Sequence, residues 1–115
     1  MTNLSLNDLQ LIFYRRRAQP GQTIALADEA DISTGVEATL YPFHRWTLYL
    51  RAAGEVDVTL ELSPDGGATF FTPEESPVKF SQAGDMIIEM GYDATHIRLT
   101  GSDGTLITAF IRGLM

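Results

Sequence analysis

The run Arg45-Trp-Thr-Leu-Tyr-Leu-Arg51 and the run Val56-Asp-Val-Thr-Leu-Glu-Leu62 decide the fold of this chain. In both runs every second residue is apolar: Trp46, Leu48 and Leu50 in the first, and Val56, Val58, Leu60 and Leu62 in the second. A period of two is what an antiparallel strand with one buried face and one wet face requires. The connection Ala53-Gly54-Glu55 predicts that the two strands form a β-hairpin.

Four more strands are predicted downstream, over residues 78–81, 86–90, 96–100 and 105–112. Turn residues separate them, at 64–67, 83–85 and 102–104. Short strands with frequent turns are typical of an all-β fold, here an antiparallel β-sandwich or a small jelly-roll-like barrel. The strand over 105–112 is apolar on both faces, so it is predicted to be central in a sheet or covered by a partner.

The composition fits one soluble domain without disulfides. The chain has 115 residues, of which 44% are hydrophobic, and no cysteine. This length supports one modest core, and thiolate zinc sites and cysteine nucleophiles are excluded. No apolar run is long enough for a membrane span, and the N-terminus lacks the pattern of a signal peptide. We expect a protein made in the cytoplasm that does not bind membranes.

The first third of the chain is patterned differently from the rest. We predict an N-terminal arm over residues 1–33 and a β-sandwich domain over residues 34–115. Ser5-Leu-Asn-Asp8 resembles a helix capping box, while residues 11–14 fit a helix or a strand equally well. Residues 22–27 have the composition of a further strand. The arm is polar enough to lie in water and apolar enough to pack on a surface.

Charge is unevenly distributed along the chain. Phe13 and Tyr14 are followed by Arg15, Arg16 and Arg17, and residues 18–115 carry five basic and fourteen acidic residues. An acidic body repels nucleic acid, and three arginines give few phosphate contacts, so nucleic acid is not an expected partner. We predict that these five residues bind an acidic protein surface, the arginines through bidentate pairs with carboxylates. A solvated arm is the alternative.

The run Ser63-Pro-Asp-Gly-Gly-Ala-Thr-Phe-Phe71 predicts a tight turn. A phosphate loop needs Lys-Ser/Thr after its glycines, and a calcium loop needs several alternating acids. Neither pattern is present, because Asp65 stands nearly alone. We predict that Asp65 hydrogen-bonds its own backbone, that Gly66 or Gly67 has a positive φ, and that residues 69–71 form the return strand.

The same run resembles the Asp-box, S-x-D-x-G-x-T-[WF], of sialidases and other β-propellers. The matching residues are Ser63, Asp65, Gly67, Thr69 and Phe70. The resemblance implies a structural hairpin whose aromatic residue packs into the core, and no catalytic role. A single copy in a chain of this length implies neither a propeller nor sialidase activity.

No group of residues points to catalysis. His44 and His96 lack the spacing of a helical metal site, no Gly-x-Ser-x-Gly elbow is present, and Glu74-Glu75 lie in a loop rather than across a cleft. We therefore predict no catalytic residue, no metal, no cofactor and no enzymatic activity.

Exposed aromatic residues are the remaining candidates for recognition. Tyr41, Tyr49, Phe71 and Tyr92 lie in loops or on predicted wet faces, where aromatic rings stack on sugars or anchor protein interfaces. Trp46 shares a face with Leu48 and Leu50, which favours the core.

The whole pattern resembles small virion proteins of tailed bacteriophages. An arm with an arginine run precedes a compact, acidic, cysteine-free sandwich, and the run over 48–62 followed by 63–67 is similar to such proteins. The resemblance implies a non-enzymatic capsid decoration (cement) protein located in the virion, which binds the major capsid protein. A tail or adaptor component and a carbohydrate-binding module are the alternatives. We expect a homotrimer, with the arm and the C-terminal strand, including Leu114, at the contacts.

Overall fold

The computed structural model describes residues 21–40 and 43–114, and every regular element in these ranges is a β-strand. The strands are β1 (Gly21–Asp31), β2 (Val36–Thr39), β3 (Arg45–Ala52), β4 (Val56–Ser63), β5 (Val78–Phe80), β6 (Gly84–Met90), β7 (His96–Gly101) and β8 (Leu106–Leu114). Among these residues there is no helix of the length and apolarity that a membrane crossing needs.

The strands form two four-stranded antiparallel sheets. The first sheet has the order β1-β8-β3-β6 and the second sheet has the order β2-β7-β4-β5. The ladders are nested, since β1 pairs with β8, β2 with β7, β3 with β6 and β4 with β5. This is the strand order of an eight-stranded jelly roll. The all-β sandwich predicted from the sequence is confirmed.

The core lies between the sheets and is built from alternate residues of each strand. In β4, Val58 and Leu60 are fully buried, and in β3, Trp46 and Leu48 are 4% and 0% exposed. Burying one such aliphatic side chain contributes roughly 1.5–3 kcal/mol. The alternation read from the sequence therefore identifies the inner face of both strands correctly.

The hairpin predicted at residues 53–55 is wrong. β3 belongs to the first sheet and β4 to the second, so the connection crosses from one sheet to the other. Two strands with one apolar face each bury those faces equally well side by side or face to face, and the alternation does not distinguish these arrangements. The crossover is held by hydrogen bonds from Ala53 N–H to Leu106 O at 3.0 Å and from Thr105 Oγ1 to Glu55 O at 3.0 Å.

Residues 21–31 belong to the sandwich, although they fall within the segment predicted to be an arm. β1 pairs with β8 from Gly21↔Leu114 to Asp31↔Leu106, with two register shifts between. Its Ala27 is buried, and Ile32 after it is 1% exposed. Residues 1–20 lie outside the described residues, and for them the arm stays a prediction.

The C-terminal strand β8 is central in the first sheet, where it pairs with both β1 and β3. Ile107, Ala109 and Ile111 are fully buried, whereas Leu106 and Phe110 are 45% and 37% exposed. The predicted central position is correct, and it leaves an apolar outer side.

Gly113 provides a test of the packing at the end of the core. The ring of Phe43 lies against its backbone, so that a Cβ at this position would overlap the ring. We expect Gly113→Ala to lower the free energy of unfolding by about 1–3 kcal/mol, since overpacking forces the ring to move. Urea denaturation measures the change. Gly91→Ala is the control, because a Cβ there meets nothing within 4 Å; equal effects of the two variants would contradict the packing described.

Candidate functional site

The outer face of the second sheet is covered by ion pairs. Arg98 lies 3.0 Å from Glu61 and 3.7 Å from Glu37, and Lys79 lies 3.4 Å from Asp57. Ion pairs of this kind remain hydrated at the surface and contribute little to the stability of the fold. The charges of this face are therefore already paired within the chain.

The outer face of the first sheet is apolar along its middle. The register places Ala25 beside Phe110, Phe110 beside Tyr49, and Tyr49 beside Ile87, with one residue from each strand. We call these four residues the apolar row. Phe110, Tyr49 and Ile87 are 37%, 41% and 65% exposed. A contiguous apolar patch of this kind marks an interaction surface more often than isolated exposed residues do.

A groove of about 290 Å³ lies beside the apolar row. Its lining residues are Tyr49, Leu50, Arg51, Asp85, Met86, Ile87, Thr108 and Phe110. Arg51 donates from Nε and Nη2 to the two carboxylate oxygens of Asp85, at 2.7 and 3.1 Å. These hydrogen bonds lower the pKa of Asp85 and raise that of Arg51. The polar end of the groove is thus closed by a bidentate pair.

On the other flank of the apolar row, opposite charges stand at opposite edges of the sheet. Thr47 of β3 pairs with Glu89 of β6 on one side and with Arg112 of β8 on the other. Arg112 Nη1 donates to Thr23 Oγ1 at 3.1 Å, which draws the guanidinium towards β1. The anion of Glu89 therefore lies at the β6 edge and the cation of Arg112 lies over the β1 edge.

A second groove, of about 270 Å³, gathers two of the predicted exposed aromatic residues. Phe71 and Tyr92 line it and are 60% and 40% exposed. The hydroxyl of Tyr92 donates to Glu75 at 2.9 Å, and this hydrogen bond raises the pKa of Tyr92. Trp46 is buried, as predicted, and its Nε1 donates to the Tyr92 carbonyl at 3.2 Å. Hydrogen bonds at both its backbone carbonyl and its side-chain hydroxyl therefore fix the position of Tyr92.

The turn after β4 is closed by hydrogen bonds to the side chains of Ser63 and Asp65. The fully buried Ser63 Oγ donates to Asp65 Oδ1 at 2.8 Å and accepts from Gly67 N–H at 2.8 Å. Asp65 Oδ1 also accepts from Thr69 N–H at 2.9 Å. Gly66 and Gly67 have φ values of 81° and 94°, which a residue with a side chain rarely adopts.

Beyond the turn, the structure departs from the Asp-box. Phe70 is half-buried rather than in the core, and the guanidinium of Arg98 lies 3.9 Å from its ring centroid on the outer face of the second sheet. The return strand is reduced to one bridge between Leu62 and Phe71. The cation–π contact replaces the core packing that the resemblance implied.

The predicted partner-binding residues are only partly placed. Phe13, Tyr14, Arg15, Arg16 and Arg17 lie outside the described residues, as does Tyr41, and their roles stay predictions. Leu114 is half-buried at the end of β8, beside Arg45 and Gly21 in the register.

The two histidines lie apart from the apolar row. His44 is exposed before β3, and His96 is half-buried with Nδ1 at 3.0 Å from Thr95 Oγ1. Across residues 21–40 and 43–114, no three side chains of His, Asp or Glu gather as metal ligands.

The apolar row is the feature that sequence reasoning missed. Tyr49 was predicted on a wet face, and the strand that became β8 was predicted to be apolar on both faces. That Tyr49 and Phe110 are neighbours depends on the register between strands that are distant in sequence. One signal was present, because the adjacent residues Ile87 and Ile88 must point to opposite faces of β6. One of these two isoleucines is therefore outside the core.

No protein-family model and no curated protein matches this sequence. Solved structures do match. The prophage-derived protein YomS of SPBc2 has a TM-score of 0.62 at 7% identity, over 85% of this chain and 96% of that protein. A Bacillus endospore appendage protein, described as forming disulfide-linked pili, has a TM-score of 0.50 at 12% identity, over 85% and 88% of the two chains. At these identities the likeness shows a shared fold alone.

The turn at Asp65 predicts a pH dependence of stability. The hydrogen bond from Ser63, followed by that from Thr69, lowers the pKa of Asp65 below its ordinary value of 3.8. A carboxylate whose pKa is lowered in the folded state stabilises the fold at pH values above its ordinary pKa. This contribution is lost as the pH falls through the folded-state pKa. We expect Asp65→Ala to lower the melting temperature most at about pH 6 and progressively less below pH 3.8.

Thermal unfolding followed by circular dichroism measures this difference across the pH range. Asp93→Ala reports the general effect of removing one exposed aspartate. A difference between wild type and Asp65→Ala that keeps its size at low pH would contradict the role of the ionised carboxylate.

Proposed function

We propose that the protein is a non-enzymatic structural virion protein of a tailed bacteriophage, and specifically a capsid decoration protein that binds and stabilises the head. The observation that carries the proposal is the contrast between the two outer faces. The second sheet presents ion pairs such as Arg98–Glu61, whereas the first presents the apolar row. A protein that works by assembly needs one face to bury and one to keep wet.

The fold is compatible with this proposal without establishing it. Jelly rolls occur in viral capsid proteins and in lectins, and one match, YomS, is prophage-derived. Because one fold hosts many functions, the surface of the first sheet is the stronger support. A tail or adaptor position in the virion would use the same surface.

We assign the contact with the head to residues 1–20 and the contact between copies to the outer face of the first sheet. Arg15, Arg16 and Arg17 suit bidentate pairing with carboxylates of the major capsid protein. The segment immediately precedes Gly21, where the edge strand β1 begins. The structure does not test the homotrimer predicted from the sequence, and the proposal does not depend on three-fold symmetry.

Co-sedimentation with heads tests the proposal. The probe is empty heads assembled from the major capsid protein encoded in the same genome. We expect saturable binding, and we expect reversal of all three arginines (Arg15→Glu, Arg16→Glu, Arg17→Glu) to weaken it by about a hundredfold, because each bidentate pair becomes a repulsion.

The matched control is Lys79→Glu, which reverses a charge on the second sheet and should leave binding unchanged. Binding to isolated tails or connectors instead of heads would assign the adaptor role. Absence of binding to any of these particles would refute the virion proposal.

The groove at Phe71 and Tyr92 supports a second candidate function, binding of a carbohydrate. Two exposed aromatic residues on a groove can stack on sugar rings. If this function holds, neutral oligosaccharides shift the NMR signals around the groove, and Phe71→Ala or Tyr92→Ala abolishes the shifts. Tyr49→Ala, on the opposite sheet, is the control. A panel of oligosaccharides that produces no shift in the wild type removes this candidate.

A further inference from the structure

We infer that the outer face of the first sheet binds the same face of a second copy, about a two-fold axis that runs along the strands between β8 and β3. The inference rests on the proposed function only for the expectation that copies associate. Its evidence is the order of residues and charges across the sheet.

The apolar row is complementary to itself under this axis. The rotation exchanges β8 with β3 and β1 with β6. Tyr49 then lies against Phe110 of the second copy, and the reverse contact forms at the same time. The large, exposed Ile87 lies over Ala25, the smallest residue of the row. Aromatic residues meet aromatic residues, and a projection meets a depression, which are the packing conditions of a specific interface.

The charges on the flank of the row are complementary under the same axis. Glu89 at the β6 edge of one copy is brought over the β1 edge of the other. That edge carries the guanidinium of Arg112, held there by its hydrogen bond to Thr23. Two such pairs form, because the arrangement is symmetric. Each pair joins an anion and a cation that have no contact with each other inside one chain.

Other arrangements fit this surface less well. A two-fold axis across the strands, through the apolar row, would place Ile87 on Ile87 and Glu89 over Asp85, so that like charges meet. Residues 1–20 of the same chain are a poorer occupant, since Arg17 is four residues before Gly21 and would be brought close to Arg112. A trimer requires two different contact surfaces on each subunit. It would not bring this face against the same face of another copy, so the complementary residues would not meet.

The size of the face places the expected dimer among the weaker interfaces. Four strands about 4.8 Å apart and about eight residues long give a plane of roughly 500 Å² per copy. A total of about 1,000 Å² is near the lower limit for a specific interface. The dimer is therefore expected to dissociate in the micromolar range, so association must be measured over a range of concentrations.

A charge-swap experiment distinguishes this dimer from other associations. Sedimentation equilibrium of the 115-residue wild-type chain should show a reversible dimer with twice the 12.7 kDa chain mass. Glu89→Arg and Arg112→Glu should each raise the dissociation constant by about tenfold or more, because each homodimer then contains two like-charge pairs. An equimolar mixture of the two variants should recover dimer formation, because both pairs in the mixed dimer are again opposite in charge. Pairing within one chain cannot produce this recovery.

A second pair of variants tests the apolar row. Ile87→Lys should abolish the dimer while the circular dichroism spectrum stays that of the folded protein. Thr59→Lys, on the outer face of the second sheet, should leave it intact. A wild type that is monomeric at every concentration, a trimer, or a mixture that does not associate would each overturn the inference. Head binding is measured separately, so loss of the dimer does not decide the proposed function.

Discussion

The two described sheets turn apolar side chains towards each other, and the sandwich exists because those side chains must be buried together. Val58 and Leu60 of one sheet and Leu48 and Ile111 of the other are inaccessible to water only when the sheets lie face to face. A single sheet would expose all of them. The hydrophobic contact between the sheets is therefore the interaction on which the ladders, the turns and the outer surfaces depend.

This constraint also explains what the sequence could and could not predict. Alternation in residues 45–51 and 56–62 gives the strands and their inner faces, because burial of one face has a period of two. Pairing is a different matter. Strands β1 and β8 pair with each other although most of the chain lies between them. Likewise, no local feature of Ala53-Gly54-Glu55 distinguishes a hairpin from a crossover between the two sheets. The nested strand order follows from how all eight strands pack together, and a few consecutive residues carry no information about that packing.

The same distinction applies to the candidate site. The turn at Ser63 and Asp65 was predictable, since its hydrogen bonds join residues within four positions of one another. The apolar row was not, since Ala25, Tyr49, Ile87 and Phe110 become neighbours only through three ladders. Sequence reasoning identified Tyr49 and the doubly apolar β8 as unusual and lacked the register that joins them. Surfaces made by a sheet are therefore harder to predict than turns made by a loop.

Because the core uses only the inner faces, the outer faces are free to differ, and here they do. The second sheet satisfies its charges within itself through Arg98, while the first keeps Glu89 and Arg112 apart at opposite edges of an apolar surface. A face of this size gives a weak contact between free molecules. On a particle that holds many copies side by side, the effective concentration is high, and a weak contact becomes sufficient. The dimer contact inferred above is thus well matched to the proposed role, in which a larger structure first gathers the copies.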